Sequence, residues 1–183
     1  MESPKIWIAL PAYNEEANLE NLLERWEVVF SSLGTEREYI IVDDGSIDQT
    51  PKVLKKLSQQ LPLYIKTHQS NQGLGVTIRD ALFIVSEKAH PDDIIITMDS
   101  DNTQPPELFQ EMLETVLNKQ KDVVIASRYQ PQSQIIGLSS WRQFLSLGAR
   151  YLFQSVFPIP GVIDYTSGYR AYRAKTLQKG FKV

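Results

Sequence analysis

Two aspartates separated by one residue follow a purely apolar run in the middle of the chain. Asp99 and Asp101 come directly after Ile94–Met98, and side chains two positions apart on an extended strand point to the same side. Carboxylate oxygens are the ligands that Mg²⁺ and Mn²⁺ prefer, and Mg²⁺ keeps further coordination positions for substrate phosphates. Although Asp-x-Asp is a common tripeptide, its place behind a buried strand predicts a divalent-cation site at Asp99 and Asp101.

A second acidic pair, Asp43 and Asp44, follows the apolar run Tyr39–Val42. Carboxylates at the end of a buried strand are costly unless they meet solvent, a cation or hydrogen-bond donors. We therefore expect Asp44 to accept a hydrogen bond from a nucleobase or a ribose hydroxyl. The alternative is a plain turn, in which Gly45 supplies the bend and Ser46 or Asp48 caps the next helix.

The first apolar run, Ile6–Leu10, leads into the polar segment Pro11–Glu15. A dinucleotide-binding fold carries a Gly-x-Gly-x-x-Gly turn at this place, whereas the first glycine here is Gly34. The same absence argues against a sugar nucleotidyltransferase, for which a glycine-rich first loop is also expected. The alternative role for this segment is structural, with Asn14 capping the following helix.

The elements that must position these residues alternate along the chain. Short β-branched runs predict buried strands of a parallel sheet, and they are Ile6–Leu10, Tyr39–Val42, Leu63–Ile65, Ile94–Met98 and Val123–Ala126. Apolar residues at helical spacing predict helices between them, at Glu16–Phe30, Gln49–Leu61, Gly75–Ala89 and Pro106–Asn118. This alternation predicts an open, mostly parallel α/β sheet with helices on both faces and ligands at the carboxyl ends of its strands.

Composition narrows the classes of function. The chain has 183 residues, which fits one domain, and its net charge of −3 argues against a nucleic-acid partner. It contains no cysteine and two histidines, which excludes disulfides and disfavours a zinc site. We find neither a signal peptide nor an apolar run of about 20 residues, so we expect a cytoplasmic protein whose membrane contact, if any, is peripheral.

Taken together, the motifs resemble the family-two glycosyltransferases, which have the GT-A fold. Within that family the chain is most similar to the dolichyl- or polyprenyl-phosphate mannose synthases, through its Ser-Arg-Tyr and Ser-Gly-aromatic motifs. The matching segments extend over nearly the whole chain, and they are Pro11–Glu15, Val42–Ser46, Gly73–Gly75, Met98–Asp101, Ser127–Tyr129 and Thr166–Arg170.

The resemblance implies a role for each matching residue. The nucleoside pocket would be lined by Pro11, Ala12, Tyr13, Glu15, Asp43, Asp44 and Ser100. A Mg²⁺ or Mn²⁺ ion on the donor diphosphate would be held by Asp99, Asp101 and Thr103, the last standing where relatives often have Gln or Ser. The residues expected to act in catalysis are Asp99, Asp101 and Arg128.

The resemblance also implies an acceptor. Arg128 is a phosphate binder by type, and Arg142 and Ser146 lie four apart in the apolar helical pattern Trp141–Phe157. These three residues would grip the phosphate of a polyprenyl or dolichyl phosphate. The apolar side of Trp141–Phe157 would either pack on the sheet or lie at a membrane interface, and Arg128 would otherwise be a solvated surface arginine.

The implied reaction is transfer of a sugar from a nucleotide-diphosphate donor, GDP-mannose or a UDP-sugar, with metal-assisted departure of the nucleotide diphosphate. The alternatives are a relative that binds nucleotide sugars without catalysis and a sugar nucleotidyltransferase. We expect residues 1–183 to form one catalytic domain. Because relatives continue beyond the Ser-Gly-aromatic motif, we also expect this domain to be truncated at its C-terminus.

Overall fold

A computed structural model describes residues 4–127, 156 and 158–181. In this part of the chain, six strands form one sheet in the order β3-β2-β1-β4-β6-β5. The strands are β1 (Ile6–Ala12), β2 (Arg37–Asp43), β3 (Leu63–Thr67), β4 (Ile94–Thr97), β5 (Val123–Ile125) and β6 (Arg170–Arg173).

The first four strands are parallel neighbours. On β1, Ile8 pairs with Tyr39 of β2 on one side and with Ile96 of β4 on the other. The chain thus builds outward from β1 to β2 and β3, and then returns to the opposite side of β1 with β4. A crevice forms at the carboxyl ends of the strands where the order reverses in this way, which here lies between β1 and β4.

The far edge of the sheet differs from the prediction. Val123–Ala126 was expected to be a parallel strand, but β5 pairs antiparallel with β6, and β6 pairs antiparallel with β4. The insertion of β6 keeps β4 paired on both sides, so that its four residues are buried. β6 is a sixth strand, beyond the five that the apolar runs predicted.

Helices cover both faces of the sheet, as predicted. They are α1 (Leu19–Leu33), α2 (Thr50–Leu57), α3 (Leu74–Lys88), α4 (Phe109–Asn118, after a 3₁₀ turn at Pro106–Leu108) and α5 (Ala174–Phe181). One core contains α1, α2 and α4, where Trp26 stacks on Phe30 at a ring distance of 5.4 Å. The other core contains α3 and α5, with Ala81, Val85 and Ala174 against the opposite face.

Some element boundaries differ from the predictions. The first helix begins at Leu19 instead of Glu16, and Asn14 does not cap it. Asn14 has a left-handed backbone (φ 57°), and its side-chain oxygen accepts a hydrogen bond from the Ile47 amide at 2.9 Å. Among the described residues, no helix combines the length and apolar character needed to cross a bilayer.

Candidate active site

A cavity of about 300 Å³ opens at the carboxyl ends of β1, β2 and β4. It gathers residues from four separate segments of the chain, and they are Pro11, Ala12, Tyr13, Glu15, Asp44, Asn71, Leu74, Thr77, Asp99, Ser100 and Asp101. Among the predicted site residues that the structure describes, all but Asp43 and Thr103 line it. The cavity therefore coincides with the crevice that the strand order creates.

Two loops form one wall of the cavity and are tied together by side chains. Ser46 accepts a hydrogen bond from the Asn14 amide at 2.9 Å, and Thr50 accepts one from the Glu15 amide at 2.8 Å. Asp48 accepts a hydrogen bond from the Thr50 amide at 2.9 Å, but the N-cap position of α2 is Gln49, so neither Ser46 nor Asp48 occupies it. The Pro11–Glu15 segment is held in place by these bonds without any glycine.

Asp44 lines the cavity, but its carboxylate is held by the protein itself. One oxygen accepts a hydrogen bond from the Gln72 amide at 2.9 Å, and the other accepts from the Gly73 amide at 2.8 Å. Burial alone would raise the pKa of Asp44, but hydrogen bonds from His68, Gln72 and Gly73 outweigh it and hold the pKa below its usual value. Direct contact between Asp44 and a nucleoside stays a prediction.

Asp43 has a different environment from its neighbour. It is fully buried, does not line the cavity, and accepts a hydrogen bond from the Ser46 amide at 3.0 Å. Its second carboxylate oxygen is buried without a hydrogen-bond partner, which is costly for a polar atom. The side chain of Asp43 thus shapes the turn at Gly45, and its expected contact with a nucleoside stays a prediction.

Asp99 and Asp101 both reach the cavity, although for a different reason from the predicted one. Strand β4 ends at Thr97, so strand alternation does not align these two side chains. Instead, the buried Ser100 between them donates a hydrogen bond to the Pro11 carbonyl at 2.7 Å. This contact attaches the turn at Ser100 to the end of β1, so that the carboxylates of Asp99 and Asp101 on either side lie at the cavity.

Each of these carboxylates has a nearby polar partner. Asp101 accepts hydrogen bonds from the Thr103 amide at 3.0 Å and from the Thr103 hydroxyl at 2.7 Å. Asp99 accepts one from the Gln104 side-chain amide at 2.9 Å. Thr103 is exposed and supports Asp101 without lining the cavity, so its predicted role as a metal ligand stays a prediction.

Negative charge accumulates in the cavity. Burial raises the pKa of Glu15, and the carboxylates of Asp101, Asp48 and Asp99 raise it further. Like charges crowded in this way favour binding of a cation, and oxygen ligands suit a hard ion. No group of three or more His, Asp or Glu side chains in the described ranges is arranged to hold a metal ion, and the metal site expected at Asp99 and Asp101 stays a prediction.

Two further groups of residues bear on the site. The Thr166–Arg170 motif lies beside Asp99, since Thr97 donates a hydrogen bond to the Gly168 carbonyl at 2.8 Å and a Cβ on Gly168 would lie 3.1 Å from the Asp99 carboxylate. The expected acceptor residues Arg128, Arg142 and Ser146, together with nearly all of Trp141–Phe157, lie outside the described residues.

Three lining residues were not predicted to belong to the site. Asn71, Leu74 and Thr77 come from the turn after β3 and the first turn of α3. Their position after a parallel strand was the available signal, because the carboxyl ends of such strands meet at one edge of the sheet. Their side-chain types gave no further indication of binding.

Comparison with known proteins identifies the family. Residues 7–181 match the family model described as Glycosyl transferase family 2. The chain belongs to this family. The match confirms the resemblance of the motifs to the family-two glycosyltransferases.

Among curated proteins, this family-two chain is 28% identical to the dolichol-phosphate mannosyltransferase of Pyrococcus furiosus, over 98% of this chain and 51% of that protein. It is 30% identical to the undecaprenyl-phosphate 4-deoxy-4-formamido-L-arabinose transferase of Pseudomonas aeruginosa, over 93% of this chain and 48% of that protein. The chain thus spans about half the length of these relatives.

A solved structure supports the fold. S. aureus TarS in complex with UDP-GlcNAc superposes with a TM-score of 0.62 at 22% identity, over 98% of this chain and 48% of that one. This likeness, together with the observed sheet, confirms the predicted GT-A fold. Glycosyltransferases with this fold commonly use a divalent metal ion.

Proposed function

We propose that this chain binds a nucleotide-diphosphate sugar in its cavity and transfers the sugar to a polyprenyl phosphate. The observation that carries the proposal is the cavity itself, which joins the Pro11–Glu15 segment to Asp99 and Asp101 at the β1–β4 crevice. The relatives named as dolichol-phosphate and undecaprenyl-phosphate transferases support the acceptor class. The UDP-GlcNAc complex of TarS supports the donor class.

The nucleoside would occupy the side of the cavity formed by Pro11–Glu15. Tyr13 is 42% exposed there and offers an aromatic face to a base. Asp44 would line the same side and hold the loop that contains Asn71, through the amides of Gln72 and Gly73. A ribose or a base could then reach the backbone at the end of β1.

The diphosphate would lie toward Asp99 and Asp101. These residues would hold Mg²⁺ or Mn²⁺. A bound cation would neutralise the negative charge that develops on the departing nucleotide diphosphate. Thr103 and Gln104 keep the two carboxylates in place through their hydrogen bonds. Without a cation, the clustered carboxylates would repel the anionic diphosphate.

The acceptor phosphate would be held by Arg128, Arg142 and Ser146. In the reaction, a phosphate oxygen of the lipid forms a bond to the anomeric carbon of the sugar while the bond from that carbon to the nucleotide diphosphate breaks. The acceptor oxygen is already anionic, so the step needs no general base. The apolar side of Trp141–Phe157 would contact the cytoplasmic face of a membrane, as a peripheral attachment.

A transfer assay tests this proposal. The protein would be incubated with labelled GDP-mannose or UDP-glucose, a polyprenyl phosphate in detergent and MnCl₂, and the label would be measured in the extracted lipid. We expect labelled lipid from the native chain and none from the Asp101→Asn variant. Donor binding without transfer would instead indicate a binding relative, and pyrophosphate release from a nucleoside triphosphate and a sugar phosphate would indicate a nucleotidyltransferase.

A further inference from the structure

A buried histidine connects two carboxylates behind the cavity. His68 follows β3, and its side chain is only 3% exposed. Its Nδ1 atom lies 2.7 Å from Asp44 Oδ1, and its Nε2 atom lies 3.2 Å from Asp80 Oδ2. An ionised carboxylate accepts hydrogen bonds and donates none, and each ring nitrogen of His68 faces such a carboxylate oxygen.

The outer end of this connection is firmly held. Asp80 lies on α3 and accepts a hydrogen bond from Lys66 Nζ at 2.6 Å, with Arg79 Nη2 at 3.1 Å on its other oxygen. The hydrogen bond from Lys66 lowers the pKa of Asp80 to about 2. The Asp80 carboxylate is therefore ionised at neutral pH and anchors the Nε2 side of His68.

On the other side of His68, Asp44 holds one wall of the cavity. The Asp44 carboxylate that faces His68 also accepts hydrogen bonds from the amides of Gln72 and Gly73. Asn71 and Leu74, on either side of these two residues, line the cavity. The loop also packs closely on the turn after β2, because a Cβ on Gly45 would lie 2.7 Å from the backbone of Ser70.

We propose that His68 is a positioning residue for the nucleotide cavity, since it fixes the Asp44 carboxylate and, through it, the cavity wall at residues 71–74. His68 does not line the cavity, so it acts only through Asp44. The identity of the ligand in this inference rests on the proposed function. The effect of His68 on the loop at residues 71–74 does not depend on that function, because it can be measured in the protein without ligand.

A matched pair of substitutions separates the two sides of the ring. His68→Asn retains an amide nitrogen near the position of Nδ1, and so keeps a donor to Asp44. His68→Gln retains one near the position of Nε2, and so keeps a donor to Asp80 alone. We expect the affinity for GDP or UDP with MnCl₂ to fall on the order of tenfold in His68→Gln, because a hydrogen bond to a buried charge is lost. We expect a smaller loss in His68→Asn.

Amide hydrogen exchange in the ligand-free protein supplies the second measurement. Exchange at Gln72 and Gly73 should accelerate in His68→Gln and stay near the native rate in His68→Asn. Equal acceleration in both variants, or none in either, would overturn the inference whatever the binding result. Absence of nucleotide binding by the native chain would overturn the proposed function, while the exchange rates would still decide whether His68 controls the loop.

If either His68 variant fails to fold, Asp80→Asn provides another test, because it leaves His68 and Asp44 in place. It removes the anchoring charge but keeps a side-chain oxygen that can accept from Nε2. If His68 acts as proposed, exchange at Gln72 and Gly73 should be faster in this variant than in the native protein. The increase should be smaller than the increase expected from losing the contact between His68 and Asp44 altogether. Native exchange rates at Gln72 and Gly73 in Asp80→Asn would overturn the inference.

Discussion

At the scale of single residues, the pKa of Glu15 reports the negative charge that gathers around the cavity. Burial and the carboxylates of Asp101, Asp48 and Asp99 all raise it. Replacing Asp101 by Asn removes one of these charges, so the pKa of Glu15 should fall. Titration of the side-chain carboxyl groups by NMR measures this value directly.

The control for this prediction is Asp92→Asn, which removes an equal charge just before β4, at the opposite end of that strand. The Asp92 side chain is 82% exposed and distant from the cavity lining. The Asp92→Asn substitution should therefore leave the pKa of Glu15 unchanged. A Glu15 pKa that does not respond to Asp101→Asn would contradict the close grouping of carboxylates that a cation site requires.

Gly168 is placed so that a single added carbon reaches the candidate metal site. In Gly168→Ala the new Cβ would lie 3.1 Å from the Asp99 carboxylate, which must shift by a few tenths of an ångström. We expect weaker metal-dependent binding of nucleoside diphosphate, measured by calorimetry, with the fold retained. Gly180→Ala is the control, because its Cβ would meet nothing within 4 Å; an equal effect of both substitutions would remove Gly168 from the site.

Residue types predicted much of the site, and the limits of that prediction have physical causes. Asp99, Asp101 and the Pro11–Glu15 segment were located by their place after buried strands. Asp43 and Asp44 are chemically identical, and the sequence does not show which carboxylate the turn directs toward the cavity. The same holds for Thr103, whose hydroxyl could bind a metal or support Asp101, and which donates to Asp101 here.

At the scale of elements, α1 is held by the apolar face that its helical spacing predicts. Leu22 is fully buried on this face, whereas Val28 on the same helix is 70% exposed. Leu22→Ala should lower the free energy of unfolding by about 2–5 kcal/mol, since it leaves a cavity in the core. Val28→Ala should change it by less than about 0.5 kcal/mol.

Urea denaturation of both variants measures these differences. A cost for Leu22→Ala that is no larger than the cost for Val28→Ala would mean that α1 does not pack on the sheet through this face.

The elements were predicted unevenly, for a reason that lies in strand pairing. The apolar residues of β1, β2 and β4 are buried, as their sequences predicted for strands of a parallel sheet. β5 has equally β-branched residues, yet Val123 is 40% exposed and its partner is β6. Local sequence indicates an extended conformation but does not name the strand with which it pairs, and β6 comes from a segment 45 residues further along the chain.

At the scale of the whole molecule, carboxylates with lowered pKa values make stability depend on pH. The folded pKa of Asp80 is about 2, below the ordinary value of 3.8 for an aspartate. Asp80 therefore stabilises the fold above pH 4 or so, and this contribution is lost as the pH falls toward 2. Lys66→Met should reduce this dependence, because the hydrogen bond from Lys66 is the largest cause of the lowered pKa of Asp80.

Thermal unfolding between pH 2 and pH 6 measures this effect. Lys56→Met is the matched control, since Lys56 pairs with Glu20 on the exposed surface and such pairs contribute little. The loss of stability on acidification should be smaller in Lys66→Met than in the native chain, and nearly native in Lys56→Met. Equal acid sensitivity of Lys66→Met and the native chain would show that the Lys66–Asp80 pair does not contribute.

The order of the whole sheet, with its reversal between β1 and β4, is what brings Pro11–Glu15 to the acidic turn at Asp99 and Asp101. The central claim is that this crevice binds a nucleoside diphosphate together with a divalent cation. Isothermal titration calorimetry of the native chain with GDP and with UDP, in MnCl₂ and then in EDTA, tests it most directly. The account predicts binding of at least one nucleotide in MnCl₂, a large loss in EDTA, and the same loss in Asp101→Asn with MnCl₂ present. Equal affinity with and without the metal, or undiminished binding by Asp101→Asn, would contradict it.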